Sequence, residues 1–182
     1  MHIPLLFQPI QFRSVTARNR IVVAPMCQYS ATDGTGDDWH IQHLGARAAG
    51  GAGIVMVEAT HVSAIGRITP GCLGGYNDEH QKLLTRLAAI IVKCGAVPAI
   101  QIAHAGRKGS SQRPWDGGKP ILPQDGGWVP VAPSAIPMVP GAVDPHPLST
   151  AEVSEISAQF AATARMALRA GFKIVEIHAA HG

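Results

Sequence analysis

Four short apolar runs, Ile21–Ala24, Ile54–Val57, Val97–Ile102 and Lys173–Ile177, constrain the fold more than any other feature of the 182-residue chain. They are rich in Val and Ile and too short to be independent helices. Their apolar residues are continuous rather than alternating, the pattern of strands covered on both faces. Stretches of helical period separate them. Asp38–Ala49 carries Trp39, Leu44 and Ala48. Asn77–Cys94 lines up Leu83, Leu87, Ile90, Ile91 and Cys94 as one stripe. Thr150–Ala170 does the same with Ile156, Phe160, Thr163, Ala164, Ala167 and Leu168. Ser149 and Glu152 fit a capping box at the third helix start, and Asn77 or Asp78 can cap the second. Gly53, Gly95 and Gly171 fall between a helix and the next strand, where a left-handed cap calls for glycine. The order β-α-β-α-β-α-β predicts an α/β fold with a parallel sheet and right-handed crossovers. Ahead of the first run, Leu6–Arg20 has room for a short hairpin closing one end of the sheet.

One segment breaks this rhythm. His104–Leu148 is rich in Pro and Gly and has neither helical nor strand period. A loop of that length in a compact domain is usually functional. Attached to the C-terminal end of a strand, it is expected to lie over the face where such folds bind ligands, with Trp115 and Trp128 packing it down. The rest of the composition excludes several functions. The net charge is only +3 and no Lys/Arg cluster stands out, so there is no nucleic-acid footprint. Three cysteines at unrelated spacings do not make a disulfide framework. No stretch approaches the roughly 18 apolar residues of a membrane span. The start MHIPLLFQPIQF lacks a charged region followed by a long apolar run, so no signal peptide is expected. A cytoplasmic location is the expectation.

Parallel α/β folds bind ligands at the C-terminal ends of their strands. After the first run comes Ala24-Pro25-Met26-Cys27-Gln28-Tyr29, where a dinucleotide-binding domain would carry a Gly-rich turn. The second run ends at Glu58-Ala59-Thr60, the third at Gln101-Ile102-Ala103-His104, the fourth at His178-Ala179-Ala180-His181. Two imidazoles close together can donate hydrogen bonds to one carbonyl oxygen, and so stabilise the negative charge that develops when hydride reaches an enone. A metal site or a structural pair are the other readings of His178 and His181. The Gln101 amide matches the imide edge of a flavin pyrimidine, or bridges neighbouring strands. Cys27 is a small core residue or the tuner of a redox ring. Tyr29 donates its phenol to a substrate or stacks in the loop. Arg107 and Lys108 serve an anionic ligand or a loop salt bridge. His40 and His43 lie in a helix with Trp39 and read as packing or hydrogen-bonding groups.

The strings Arg18-Asn19-Arg20-Ile21, Ala24-Pro25-Met26-Cys27-Gln28-Tyr29, Asp38-Trp39-His40, Gly66-Arg67-Ile68-Thr69-Pro70-Gly71, Gln101-Ile102-Ala103-His104-Ala105-Gly106-Arg107-Lys108, Ala132-Pro133-Ser134 and His178-Ala179-Ala180-His181-Gly182 together resemble the Old Yellow Enzyme family of FMN-dependent ene-reductases. Cys27 with Tyr29 resembles its bacterial subgroup, which carries a redox-tuning cysteine. The resemblance runs the length of the chain. It implies a TIM (βα)8 barrel, of which residues 20–182 supply strands 1–4 and residues 104–148 a long loop over the active face. It implies FMN bound noncovalently, with Ala24, Pro25, Met26 and Cys27 lining the isoalloxazine, Ala59 touching it and Gln101 on its pyrimidine edge. His178 and His181, assisted by Tyr29, would hold the carbonyl of a small enone. NADPH or NADH would supply the hydride that reduces the activated C=C bond.

Set against the family pattern, the proton-donating tyrosine expected after Gly182 and the last four strands are missing. The expectation is the N-terminal half of one barrel domain, which needs its C-terminal half for activity and is homo-oligomeric when complete. Alone, it is expected to be unstable or self-associating. An inactive half-barrel that pairs with a complementary chain is the non-enzymatic alternative. A metal-dependent barrel hydrolase using His178, His181 and His104 is a third reading, disfavoured by the lack of acidic residues at strand ends beyond Glu58.

Overall fold

A computed structural model describes residues 3–181. Met1, His2 and Gly182 lie outside the described residues, so the last motif is placed only as far as His181. The chain opens with an antiparallel hairpin, β1 (Ile10–Phe12) and β2 (Val15–Ala17). There follow β3 (Val22–Val23), α1 (Asp38–Ala49), β4 (Ile54–His61), α2 (Asp78–Lys93) and β5 (Val97–Ala103). Two short strands, β6 (Val131–Ala132) and β7 (His146–Pro147), precede α3 (Thr150–Ala170) and β8 (Ile174–Ile177). The main sheet has the order β3-β4-β5-β8, all parallel, with Val22 opposite Ile54, Ile54 opposite Val97 and Ala99 opposite Ile174. β3, β4 and β5 are each followed by a helix that returns the chain to the next strand of the sheet, which is the β/α repeat the apolar runs predict.

The sheet separates two cores. On one face Val55, Val57 and Ile100 meet Leu84, Leu87 and Ile91 of α2, Ala167 of α3 and Phe172. These side chains are fully or almost fully buried, and each large one contributes about 1.5–3 kcal/mol by leaving water. On the other face Ile54, Met56 and Ala99 meet Ala17, with Ile10, Val97 and Ile174 packed around them. The hairpin therefore sits against the starting ends of β4, β5 and β8, where it was expected. Residues Arg18 and Asn19 fasten it to the turn between α1 and β4: Arg18 donates to the carbonyls of Ala48 and Ala52, and Asn19 to that of Gly51.

The helix boundaries follow the caps. Asp37 opens α1 in a capping box with His40, Asn77 accepts from His80 N at the start of α2, and Ser149 with Glu152 forms the expected box on α3. Gly95 and Gly171 take the left-handed conformation. Gly53 does not: in that turn it is Gly51, at φ +106°, that turns the chain. Gly53 is required for a different reason, because a Cβ there would lie 2.4 Å from the Asn19 carbonyl oxygen.

Three further expectations need correction. The second strand runs four residues beyond Val57, through Glu58, Ala59, Thr60 and His61, all buried. Leu168, assigned to the apolar stripe of α3, is 68% exposed. The helix packs through Thr163, Met166, Ala167 and Ala170 instead, with Thr163 Oγ1 donating to the Gly75 carbonyl at 2.9 Å. Residue 168 lies one helical step from 167 and is swung out of that face. The 104–148 segment is also more ordered than its composition indicates. It contains three single 3₁₀ turns and the β6–β7 pair, and is tied down by backbone bonds from Ala105 N to Gly66 O and Ser111 N to Ile68 O. Trp128 packs as expected, donating to Ile65 O beneath the Arg67 guanidinium, whereas Trp115 is exposed.

Candidate active site at the strand ends

The C-terminal end of β8 delivers His178, whose backbone N–H continues the sheet by donating to Ile102 O at 2.9 Å. His181 follows on the outgoing chain. The two rings meet edge to face, with His178 Nε2 2.9 Å from His181 Nδ1. Lys108 Nζ donates to the His181 carbonyl and so bridges the ends of β5 and β8. His178, His181, Lys108, His104, His61 and Ile68 line a cavity of about 340 Å³ between these strand ends and the connection after β4. Among the described residues no group of three or more His, Cys, Asp or Glu is arranged to hold a metal ion.

Two of the lining histidines carry neutral rings. His61 is fully buried, and burial holds its pKa down at about 4. Its Nδ1 lies 3.1 Å from Leu73 O and is assigned as the donor, which leaves Nε2 as an unpartnered acceptor. His104 is also shifted below its ordinary value by burial. Its Nδ1 accepts from Gly106 N at 3.0 Å, so the proton resides on Nε2. His61 escaped the sequence reading because Glu58-Ala59-Thr60-His61 does not look like strand. Arg107, left open by the sequence, clasps the loop through Ile136 O and Ser134 Oγ.

A second cluster forms at the ends of β3 and β4. Cys27 is half-buried, and burial first, then the nearby Glu58 carboxylate, push its thiol up to about 12. It is therefore a neutral S–H throughout the physiological range. Tyr29 lies beside it, with its phenol likewise raised to about 12 by burial and by Cys27. Tyr29 occupies the left-handed region at φ +51°. Its ring meets Trp115 edge-on at 5.8 Å, so part of the stacking alternative holds. Cys27, Cys72 and Cys94 are all free thiols.

Between the two clusters lies Gln101 on β5. Its Nε2 donates to Glu176 Oε1 of β8 at 2.6 Å, so the strand-bridging alternative is realised, with a partner the sequence reading missed. Ala59 is buried within β4, whereas Ala24 is exposed, Met26 is 42% exposed and Pro25 is half-buried. The structure thus pairs His178 with His181 and Cys27 with Tyr29. No hydrogen bond among the described residues joins one pair to the other. His40 and His43 are both buried in α1, as expected of packing residues.

The family model for the NADH:flavin oxidoreductase / NADH oxidase family matches residues 5–182. An NADH:flavin oxidoreductase of Gibberella zeae is 43% identical over 97% of this chain and 44% of its own length. An NADPH dehydrogenase of Listeria monocytogenes is 42% identical over 97% of this chain and 48% of its own. The chain thus spans about half the length of the curated relatives it matches. Among solved structures, morphinone reductase in complex with tetrahydroNAD superposes with a TM-score of 0.81 at 28% identity, covering 98% of this chain and 50% of that one. An Old Yellow Enzyme from Pichia sp. AKU4542 superposes at 0.85 over 98% and 46%, a likeness of fold at 22% identity. The parallel β/α units described above are the N-terminal half of this barrel type.

Proposed function

This chain belongs to the NADH:flavin oxidoreductase / NADH oxidase family, and from that premise we propose that it forms the front half of an FMN-dependent NAD(P)H oxidoreductase reducing the activated C=C bond of α,β-unsaturated carbonyl compounds. The observation that carries this reading is the His178–His181 contact of 2.9 Å in the wall of a 340 Å³ cavity. Imidazole N–H groups aimed at one point can hold a carbonyl oxygen and stabilise the enolate charge that follows hydride addition to the β-carbon. The naming of the relatives as NADH- or NADPH-dependent enzymes supports the reductant.

The remaining strand-end residues fit a flavin. Ala24, Pro25 and Met26 offer an apolar, partly exposed surface for its ring system, with Ala59 behind them. Gln101 spends one N–H on Glu176 and keeps a second N–H and its carbonyl oxygen for a pyrimidine edge. FMN, when bound, supplies hydride transfer between NAD(P)H and the alkene. Cys27, as a neutral thiol, is a weak donor that adds no charge beside the ring. Tyr29 keeps its phenolic proton at neutral pH and assists the histidines at the substrate.

We assign this activity to a completed barrel. Strands β3 and β8 each have one neighbour in the sheet, and Ile177 on β8 is 64% exposed. Eight strands close a barrel of this type, so the proposed partner is its C-terminal half, and the finished enzyme is proposed to be a cytoplasmic homo-oligomer. No helix among the described residues is long and apolar enough to cross a membrane. The free edges equally support a second reading, in which the half-barrel is an inactive assembly module. The substrate role is tested by His178→Ala and His181→Ala in the complete, flavin-loaded protein. Each should slow flavin reoxidation by 2-cyclohexenone by about 5–150-fold, equivalent to roughly 1–3 kcal/mol per lost donor. An unchanged reoxidation rate would reject it.

A further inference from the structure

Beneath the Cys27–Tyr29 segment lies a buried carboxyl–imidazole pair with no part in the chemistry above. Glu58, in β4, is 4% exposed. Its Oε2 accepts the backbone N–H of Gln28 at 3.1 Å, and its Oε1 lies 3.4 Å from His40 Nε2, an ion-pair approach rather than an aligned hydrogen bond. His40 is 1% exposed. Its Nδ1 faces Asp37 at the start of α1, 3.2 Å from the backbone N and 3.3 Å from Oδ1. The ring fits because residue 36 is glycine: a Cβ there would lie 2.6 Å from His40 Nδ1. The Gln28 side chain is held as well, by Trp39 Nε1 at 3.0 Å and through its own donation to Met26 O at 2.6 Å.

We propose that the Glu58–His40 pair is a positioning device for the site: Glu58 grips the backbone of Gln28, the residue between Cys27 and Tyr29, and His40 holds Glu58 in place. Burying a carboxylate is costly unless a cation and hydrogen bonds compensate it. A neutral side chain could hold one loop N–H. A charged, compensated group at this position also governs the electrostatics around the thiol directly above it. Two directions agree with this. Burial first, then Glu58 from β4 and Cys72 from the connection after it, keep the Cys27 thiol protonated, against the Ala59 backbone and the Tyr29 side chain, which pull the other way. The groups facing His40 are Glu58 and Asp37, with His43 one turn on. Burial disfavours the His40 cation, yet Glu58 and then Asp37 outweigh it and raise its pKa above the ordinary 6.5. What the pair contributes to catalysis rests on reading Cys27 and Tyr29 as flavin- and substrate-facing groups. The positioning itself does not, so its test needs neither flavin nor enone and can fail independently of that reading.

The test is alkylation of Cys27 by iodoacetamide across pH in the folded chain, read by mass spectrometry, in the parent, Glu58→Gln and Glu58→Ala. The fully buried Cys72 reports unfolding in the same experiment. Glu58→Gln keeps an acceptor for Gln28 but no charge. It should move the onset of Cys27 alkylation to lower pH, with a rate at fixed pH about tenfold higher for a pKa one unit lower. Glu58→Ala removes acceptor and charge, and should raise the rate at every pH. A Glu58→Gln profile superimposable on that of the parent, with Cys72 unlabelled, overturns the proposal. If the variants label Cys72 as well, the unsubstituted protein decides: the His40 ring followed by ¹⁵N NMR should titrate with a midpoint above 6.5, and a midpoint at or below that value overturns it.

Discussion

Replacing His181 by Ala should weaken the binding of an enone to the complete, oxidised barrel. His178 Nε2 lies 2.9 Å from His181 Nδ1, and both rings line the 340 Å³ cavity. Each ring has a second nitrogen, Nδ1 of His178 and Nε2 of His181, that the contact leaves for a ligand. Losing His181 removes one of these two groups and leaves His178 without its ring partner. The lost donor should weaken binding by about 1–3 kcal/mol, or roughly 5–150-fold in Kd. Calorimetric titration of 2-cyclohexenone measures the change. A Kd equal to that of the parent would refute the reading of His181 as a substrate-holding group.

Three other outcomes are expected. Cys27 and Tyr29 have folded-state pKa values near 12, against ordinary values of 9.0 and 10.0. Between those values the unfolded chain gives up protons that the folded chain keeps, so stability should fall as pH rises from about 9 towards 12. Urea unfolding across that range should show the loss, and Cys27→Ala should make it shallower. His61 behaves in the opposite window. Its folded pKa of about 4 lies below the ordinary 6.5, so the unfolded state binds a proton that the folded state refuses, and stability should fall as pH drops from about 6.5 to 4. His61→Leu should flatten that acid slope whatever its effect on stability at neutral pH. Gly53→Ala should cost about 1–3 kcal/mol in urea unfolding, because its methyl would meet the Asn19 carbonyl oxygen at 2.4 Å. A variant as stable as the parent would mean that the turn yields easily.

The strands and helices were legible because their signals are local. Continuous Val/Ile runs, two apolar stripes and the Ser149–Glu152 box locate the β/α units without reference to partners. Where a residue's place depends on its neighbours, the reading drifted. Glu58, Thr60 and His61 are polar, yet β4 continues through them because Gln28, the Glu58 backbone carbonyl and Leu73 supply their hydrogen bonds. Leu168 is apolar, yet it is exposed because the face of α3 is set by Thr163 reaching Gly75. The site divides in the same way. His178 and His181 are three residues apart after one strand, so their contact could be expected. The Gln101–Glu176 and Glu58–His40 contacts join residues on different elements, and neither sequence position points to the other.

The central claim is that these four β/α units carry the flavin- and substrate-binding end of a reductase whose barrel is completed by a C-terminal half. Its most direct test combines this chain with the C-terminal half-barrel of the Listeria NADPH dehydrogenase relative, adds FMN, and follows the visible flavin band without oxygen. The account predicts a retained yellow flavin, bleached by NADPH and restored by 2-cyclohexenone, with none of these in either half alone. A folded, assembled barrel that retains no flavin, or a reduced flavin that the enone leaves reduced, would contradict it.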